Sequence, residues 1–186
     1  PRGDQLLAYC RQHLDDAGLA PATDDARGLD HGAWTPLLLM YPQADIPVIP
    51  LSLEHGMGPK YHFALGRALR PLLDQGVLVL ASGNLTHNLR DFQLAFAEGS
   101  GGPAYVGEFA DWMWKRLEAG DDEAVVDYRR WAPHAARAHP SEEHLLPLHV
   151  ALGAGGPGSR RERLHTGIES AVLAMDAYAF WPARAS

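Results

Sequence analysis

Apolar residues Leu6, Leu7, Cys10 and Leu14 recur at the spacing that puts side chains on one face of a helix, and Gly18 supplies a stop. The spacing therefore predicts a helix over residues 4–16. Phe63, Leu65, Leu69, Leu72 and Leu73 mark a second face over residues 59–74, closed by Gly76. A third, over residues 104–119, runs through Phe109, Trp112, Met113 and Leu117, and residues 121–130 read as another helix. Residues 37–41 read as a short apolar helix with Pro36 in its first turn. Two stretches break the helical repeat. Residues 46–53 are β-branched and apolar but too short for a stable helix, and Pro47 and Pro50 constrain ladder pairing, so they predict an irregular or edge strand. Residues 77–81, Val-Leu-Val-Leu-Ala, are a continuous apolar run of the kind expected of a strand buried on both sides.

Strand, helix, strand in that order is a right-handed crossover unit. The expected class is α/β, with a mixed, partly parallel central sheet flanked by helices. Ligand sites in such sheets gather beyond the carboxyl ends of the strands. Residues 82–90, Ser-Gly-Asn-Leu-Thr-His-Asn-Leu-Arg, occupy that place and are rich in side chains that hydrogen-bond or bind metal. Further on, Ser141 is placed to cap a helix with Glu142 and Glu143 in its first turn, Pro147 disturbing its early bonds and Gly153 near its end. Residues 153–163 read as a Gly- and Arg-rich loop, and residues 170–181 fit a strand or a helix equally.

Composition narrows the picture. At 186 residues and 46% apolar content, the chain is expected to form one folded unit over residues 1–186. The formal net charge is -7 and the basic residues form no stripe, which argues against nucleic acid or an anionic membrane surface as a partner. No apolar run approaches the roughly 20 residues that span a bilayer. The lone Cys10, on a helical face, reads as a buried structural thiol and fits a reducing cytoplasm. The chain opens at Pro1 on what reads as a helix already embedded in a larger fold, so a fragment is expected.

Of the ten histidines, His13, His55, His62, His134 and His165 fall on helix faces or in polar loops and read as solvated or locally bonded. His87 differs: it follows an apolar strand among Ser82, Asn84, Thr86 and Asn88, which can orient an imidazole. His31 lies between Asp30 and Gly32, with a carboxylate near it and a glycine that permits close backbone approach. His139, His144 and His149 recur every five residues, which is not the three- or four-residue spacing that places two ligands on one helix face. His144 or Glu143 is the natural inward ligand, and His149 reads as core. A metal site built on His87 and His144 is the chemical expectation.

Three segments resemble signatures of the class III extradiol dioxygenases, in their DOPA-dioxygenase-like branch. They are Gly28-Leu-Asp-His-Gly-Ala-Trp-Thr-Pro-Leu-Leu-Leu-Met-Tyr-Pro42 followed by Ala44-Asp-Ile-Pro-Val48, Ala81-Ser-Gly-Asn-Leu-Thr-His-Asn-Leu-Arg90, and His139-Pro-Ser-Glu-Glu-His-Leu-Leu-Pro-Leu148 with Gly153-Ala154. Their order and separations match as well. The resemblance implies that His144 ligates a metal where related enzymes use a glutamate. It implies that His87 lies beside that metal, as a further ligand or as the acid and base acting on substrate, and that His31 contacts substrate or oxygen. It implies Fe(2+) for activity, with Zn(2+) able to occupy the site in purified protein. The implied substrates are a catecholic small molecule and O2: oxygen attacks the ring carbon beside the diol, the ring expands to a lactone, and hydrolysis yields a muconic semialdehyde-type product.

The family's N-terminal His-Gly-Ser-Pro turn and Ser-Ala-His-Trp strand end are absent from this sequence. The chain is accordingly expected to be the C-terminal part of the catalytic domain, with an N-terminal segment or a second chain completing the site. The alternatives are a catalytically inactive metal- or small-molecule-binding domain of the same fold, and a zinc-occupied homologue.

Overall fold

Helix-forming stripes dominate the chain, and the molecule follows them. The computed structural model describes residues 2–98 and 102–183, with the backbone alone at 95–98. In chain order its helices are α1 (Gly3–Asp16), α2 (His31–Met40), α3 (Pro59–Leu73), α4 (Leu89–Glu98), α5 (Tyr105–Ala119), α6 (Asp122–Val126), α7 (Tyr128–Trp131), α8 (Ala135–Ala138) and α9 (Leu146–Gly155). Strands β1 (Arg160–His165), β2 (Ile168–Glu169), β3 (Leu173–Ala174) and β4 (Ala177–Trp181) follow. The class is mixed α/β, as expected. No helix among the described residues is long and apolar enough to cross a membrane.

The axis of the fold is the crossing of α3 and α9. A Cβ on Gly66 of α3 would overlap the Val150 carbonyl, and one on Gly153 of α9 would overlap the Phe63 carbonyl, so glycine at both positions lets the two backbones touch. On one side of this pair Leu65, Leu69, Leu72 and Val150 pack with Leu14 of α1. On the other, Phe109, Met113 and Leu117 of α5 join Val125, Tyr128, Leu145, Leu152 and Val172. Fully burying each such side chain contributes about 1.5–3 kcal/mol, which makes these two clusters the main source of stability. Cys10 packs at the edge of the first cluster, and burial pushes its thiol pKa up, in keeping with a structural thiol.

Several elements differ from expectation. α2 begins at His31 rather than Leu37, because Asp30 caps it: Asp30 Oδ1 accepts from the Ala33 N–H at 3.1 Å. Pro36 therefore lies inside the helix. α9 begins at Leu146 rather than after Ser141, with Pro147 among its first two residues, where a missing N–H costs nothing. Ser141 instead donates to Glu143 Oε1 at 2.8 Å. The short α4 and α8 had no clear signal. Of residues 153–163, read as a loop, 153–155 belong to α9 and 160–163 to β1, which pairs antiparallel with β4 so that Arg160 faces Trp181 and Arg163 faces Tyr178. Residues 170–181 take the strand alternative, as β3 and β4.

The two strands read at residues 46–53 and 77–81 are extended but belong to no ladder among the described residues. Both ladders there are two-stranded and antiparallel, without the parallel pairing inferred from the crossover order. Residues 77–81 are covered on one side only. Val77 and Val79 pack toward α3, while Leu78 and Leu80 face outward, 62% and 42% exposed. Continuous apolar character promised burial on both sides, and the second covering is not supplied by the described residues. α2 lies in a similar condition, with Trp34, Leu38, Leu39 and Met40 all exposed.

Candidate functional site

The loop after residue 81 and the turn before α9 are bound together by their backbones. A Cβ on Gly83 would overlap the His144 carbonyl, so glycine is what allows the two segments to meet, and the Asn84 N–H donates to that carbonyl at 2.9 Å. Thr86 is fully buried. Its hydroxyl donates to the Val172 carbonyl and accepts from the Ala174 N–H, both at 2.8 Å. The His87 N–H donates to the Ala138 carbonyl at 2.9 Å. Asn88 ends the loop by capping α4, its Oδ1 accepting from the N–H groups of Arg90 and Asp91 at 3.1 Å while its Nδ2 donates to the Arg137 carbonyl at 2.8 Å.

These anchors bring His87 and His144 together. Their rings stack with centroids 3.6 Å apart and planes 14° from parallel. Both side chains are half-buried. His144 Nδ1 lies 3.3 Å from Glu143 Oε1 and is enclosed, with no hydrogen-bond partner among the described residues. For Glu143, burial alone would raise the pKa. Its own backbone N–H, the Ser141 hydroxyl and His144 outweigh that and hold the carboxyl below its usual range. The pKa of His87 is lowered, first by burial and then by the neighbouring His144, with Glu143 opposing. The shift favours the neutral imidazole, the form that can accept a proton.

An imidazole donates its lone pair in the plane of the ring, and an ion sits roughly 2.1 Å away. Two near-parallel planes separated by a stacking distance do not converge on one such ion. In this arrangement one ring of the pair can ligate while the other lies beside it. Nitrogen donors suit iron(II) and zinc(II) in kind. In number they fall short, since no group of three or more His, Cys, Asp or Glu able to hold a metal occurs among the described residues.

His31 stands apart from the pair. It is exposed at the first position of α2, and the start of that helix faces the His87 loop, where a Cβ on Gly32 would lie 3.8 Å from Ser82 Oγ. His62 and His149, by contrast, are fully buried. His139 is buried as well, directly behind the pair, with Nε2 2.7 Å from the Leu85 carbonyl. No sequence signal marks that contact, because a bond across 54 positions leaves no local pattern.

A family model described as the catalytic LigB subunit of aromatic ring-opening dioxygenase matches residues 3–180. The chain is 42% identical over 158 residues to a 4,5-DOPA dioxygenase extradiol of Beta vulgaris, an overlap of 85% of this chain and 58% of that protein. It is 36% identical over 183 residues to a 4,5-DOPA dioxygenase extradiol of Mirabilis jalapa, or 98% of this chain and 67% of that protein. The crystal structure of an uncharacterized protein from Escherichia coli K12 superposes with a TM-score of 0.77 at 32% identity, covering 90% of this chain and 70% of that one. The chain thus spans roughly three fifths to two thirds of the length of these curated relatives. With both the motif-bearing loops and nearly the whole length matched, this chain belongs to the LigB family of aromatic ring-opening dioxygenases.

Proposed function

We propose that this chain carries the substrate-side half of an extradiol dioxygenase site that opens a catecholic ring with O2 at a non-haem metal. The observation that carries the reading is the stacked pair: a half-buried imidazole at His144 with the half-buried imidazole of His87, whose pKa is lowered, directly against it. In this reading His144 holds the metal. Iron(II), when bound, supplies Lewis acidity toward a catecholate and the redox capacity that O2 requires.

His87 takes the proton from a catechol hydroxyl and later returns it, a task suited to an imidazole held neutral at working pH. Its service as a second ligand instead would require one ring of the stack to turn. His31, at the start of α2 beside the same loop, is assigned to contact with substrate or oxygen. The remaining ligands are assigned to a segment N-terminal to this one or to a second chain. That assignment is supported by the exposed apolar side of α2 and of residues 77–81, the surface on which such a segment would rest.

Anaerobic loading of the full-length protein with iron(II) or zinc(II), followed by oxygen uptake with DOPA-like and caffeate-like catechols, tests the reading. The expected result is O2 consumed in step with catechol in the iron form and none in the zinc form. A metal-loaded protein that binds catechol without consuming O2 overturns it. Such a result would establish the inactive binding domain instead.

A further inference from the structure

We propose that His139 is a positioning residue for His87, a role that rests on the assignment of His87 to proton transfer. His139 is fully buried, and its Nε2 lies 2.7 Å from the Leu85 carbonyl oxygen. A carbonyl only accepts, so Nε2 carries the proton and Nδ1 is bare. That bare nitrogen is enclosed and has no partner among the described residues. Leaving a buried polar atom unmet costs about 1–3 kcal/mol, a cost that phenylalanine or leucine would not incur. The walls of the site are suited to an apolar residue, with the rings of Phe109 and Tyr128 centred 5.8 Å and 6.4 Å away. Packing alone is therefore a poor account of a histidine here, and the one bond it makes is the reason for it. Low polarity around that bond strengthens it.

The bond falls two residues before His87, and the adjacent residue makes its counterpart, since the Ala138 carbonyl accepts from the His87 N–H at 2.9 Å. Residues 138 and 139 thus grip the loop on both sides of Thr86, by an acceptor at Leu85 and a donor at His87. Thr86 is fixed from the opposite side by Val172 and Ala174. The same stretch of chain continues through residues 140–143 to His144. The clamp therefore ties the segment bearing one ring of the stack to the segment bearing the other. Removing the Nε2–H leaves the Leu85 carbonyl without this donor and lets the loop turn, which shifts His87 against His144 without touching a group that meets substrate.

His139→Phe and His139→Gln in the iron-loaded full-length protein test this. Phenylalanine fills the space without a donor, and glutamine places an amide N–H near the position of Nε2. His139→Phe should lower kcat roughly 10- to 100-fold while the catechol KM stays within about twofold and iron content is unchanged, and His139→Gln should recover most of the loss. Amide hydrogen exchange over residues 85–88 should quicken in His139→Phe and return toward normal in His139→Gln, with α3 unaltered in both. Wild-type kcat and exchange in His139→Phe overturn the proposal. So do equal losses in both variants accompanied by faster exchange throughout α3 and α9, since that pattern belongs to a residue that only fills the core. Should the wild-type protein open no catechol, the dioxygenase reading fails, and the exchange measurements alone decide whether the clamp exists.

Discussion

The crossing of α3 and α9 and the loop pair in front of it both hold histidines, in opposite surroundings. At the crossing, His62 Nδ1–H donates to the Gly58 carbonyl at 3.0 Å and its Nε2 accepts from the Glu54 N–H at 3.2 Å, so one neutral tautomer satisfies both nitrogens. His149 lies between the carbonyls of Leu145 and Val125, each 3.2 Å from a ring nitrogen. These side chains fasten one backbone to another. At the loops, the backbone contacts of Gly83, Asn84 and Ala138 and the side chains of Thr86 and His139 fix the chain around His87 and His144, and those two rings are left stacked and half-open. Where neighbouring groups do the fastening, the two imidazoles themselves are left half-open for chemistry.

Removing a ring from each region should break the protein in different ways. His144→Ala in the full-length protein should abolish turnover and strip the metal, because a shell of few protein ligands does not survive the loss of one. Metal analysis after dialysis, beside oxygen uptake, checks this. Normal iron content in that variant would mean that another residue holds the ion. Global stability should hardly change, since His144 supports neither core cluster.

The next largest effect belongs to the other ring of the stack. His87→Gln keeps hydrogen-bonding capacity but cannot exchange a proton near neutral pH, so turnover should fall by roughly two to four orders of magnitude with iron retained. Loss of metal in step with activity would instead make His87 a ligand, with the proton passing to His31. Unchanged turnover would remove residues 82–90 from the active site altogether.

Acid should act through the buried histidines of the crossing and of the clamp alike. Burial holds the pKa of His149 down at about 4, against an ordinary value of 6.5. Below 6.5 the unfolded chain binds a proton that the folded chain refuses, so stability falls as pH drops from about 6.5 to about 4 and levels off beneath that. At pH 5 this group alone should cost about 2 kcal/mol relative to pH 7. His139, also held down to about 4, chiefly by burial, acts in the same direction. Urea unfolding midpoints at the two pH values measure the loss, and His149→Gln should shrink the pH dependence whatever it does to stability at pH 7. An unchanged slope in that variant would mean that His149 is not the group responsible.

The same contrast explains what could be read in the chain. α1, α3 and α5 were legible because one-sided burial stamps a helical repeat on the residues, and each formed within a residue or two of its expected bounds. His87 and His144 were legible as a pair because each follows or precedes an element whose apolar pattern fixes its place. Unpaired extension at residues 46–53 and 77–81 was not legible, since the apolar pattern records that a segment needs covering and does not say which chain covers it. Nor was the clamp at His139, whose partner is remote in sequence. The start of α9 was misread because Ser141 offers a good cap locally, whereas Pro147 fits the first turn better than the interior.

The smallest predicted effect tests α2, the element least supported by either region. α2 buries none of its residues, so its first turn depends on the Asp30 cap more than a packed helix would. The accompanying Arg27–Asp30 pair, at 3.7 Å, is well exposed on both sides and adds little. Asp30→Ala should cost about 1 kcal/mol, the usual worth of an N-cap. That loss should be local: amide exchange should rise in residues 31–34 while the α3–α9 crossing stays protected. If His31 meets substrate from the first position of this helix, the fraying should also lower kcat/KM several-fold with iron content unchanged, and Asp30→Ser, which restores a capping oxygen, should recover both. Faster exchange at residues 31–34 with full activity would show that the helix start is free to move during turnover, and His31 would then have no place in the site.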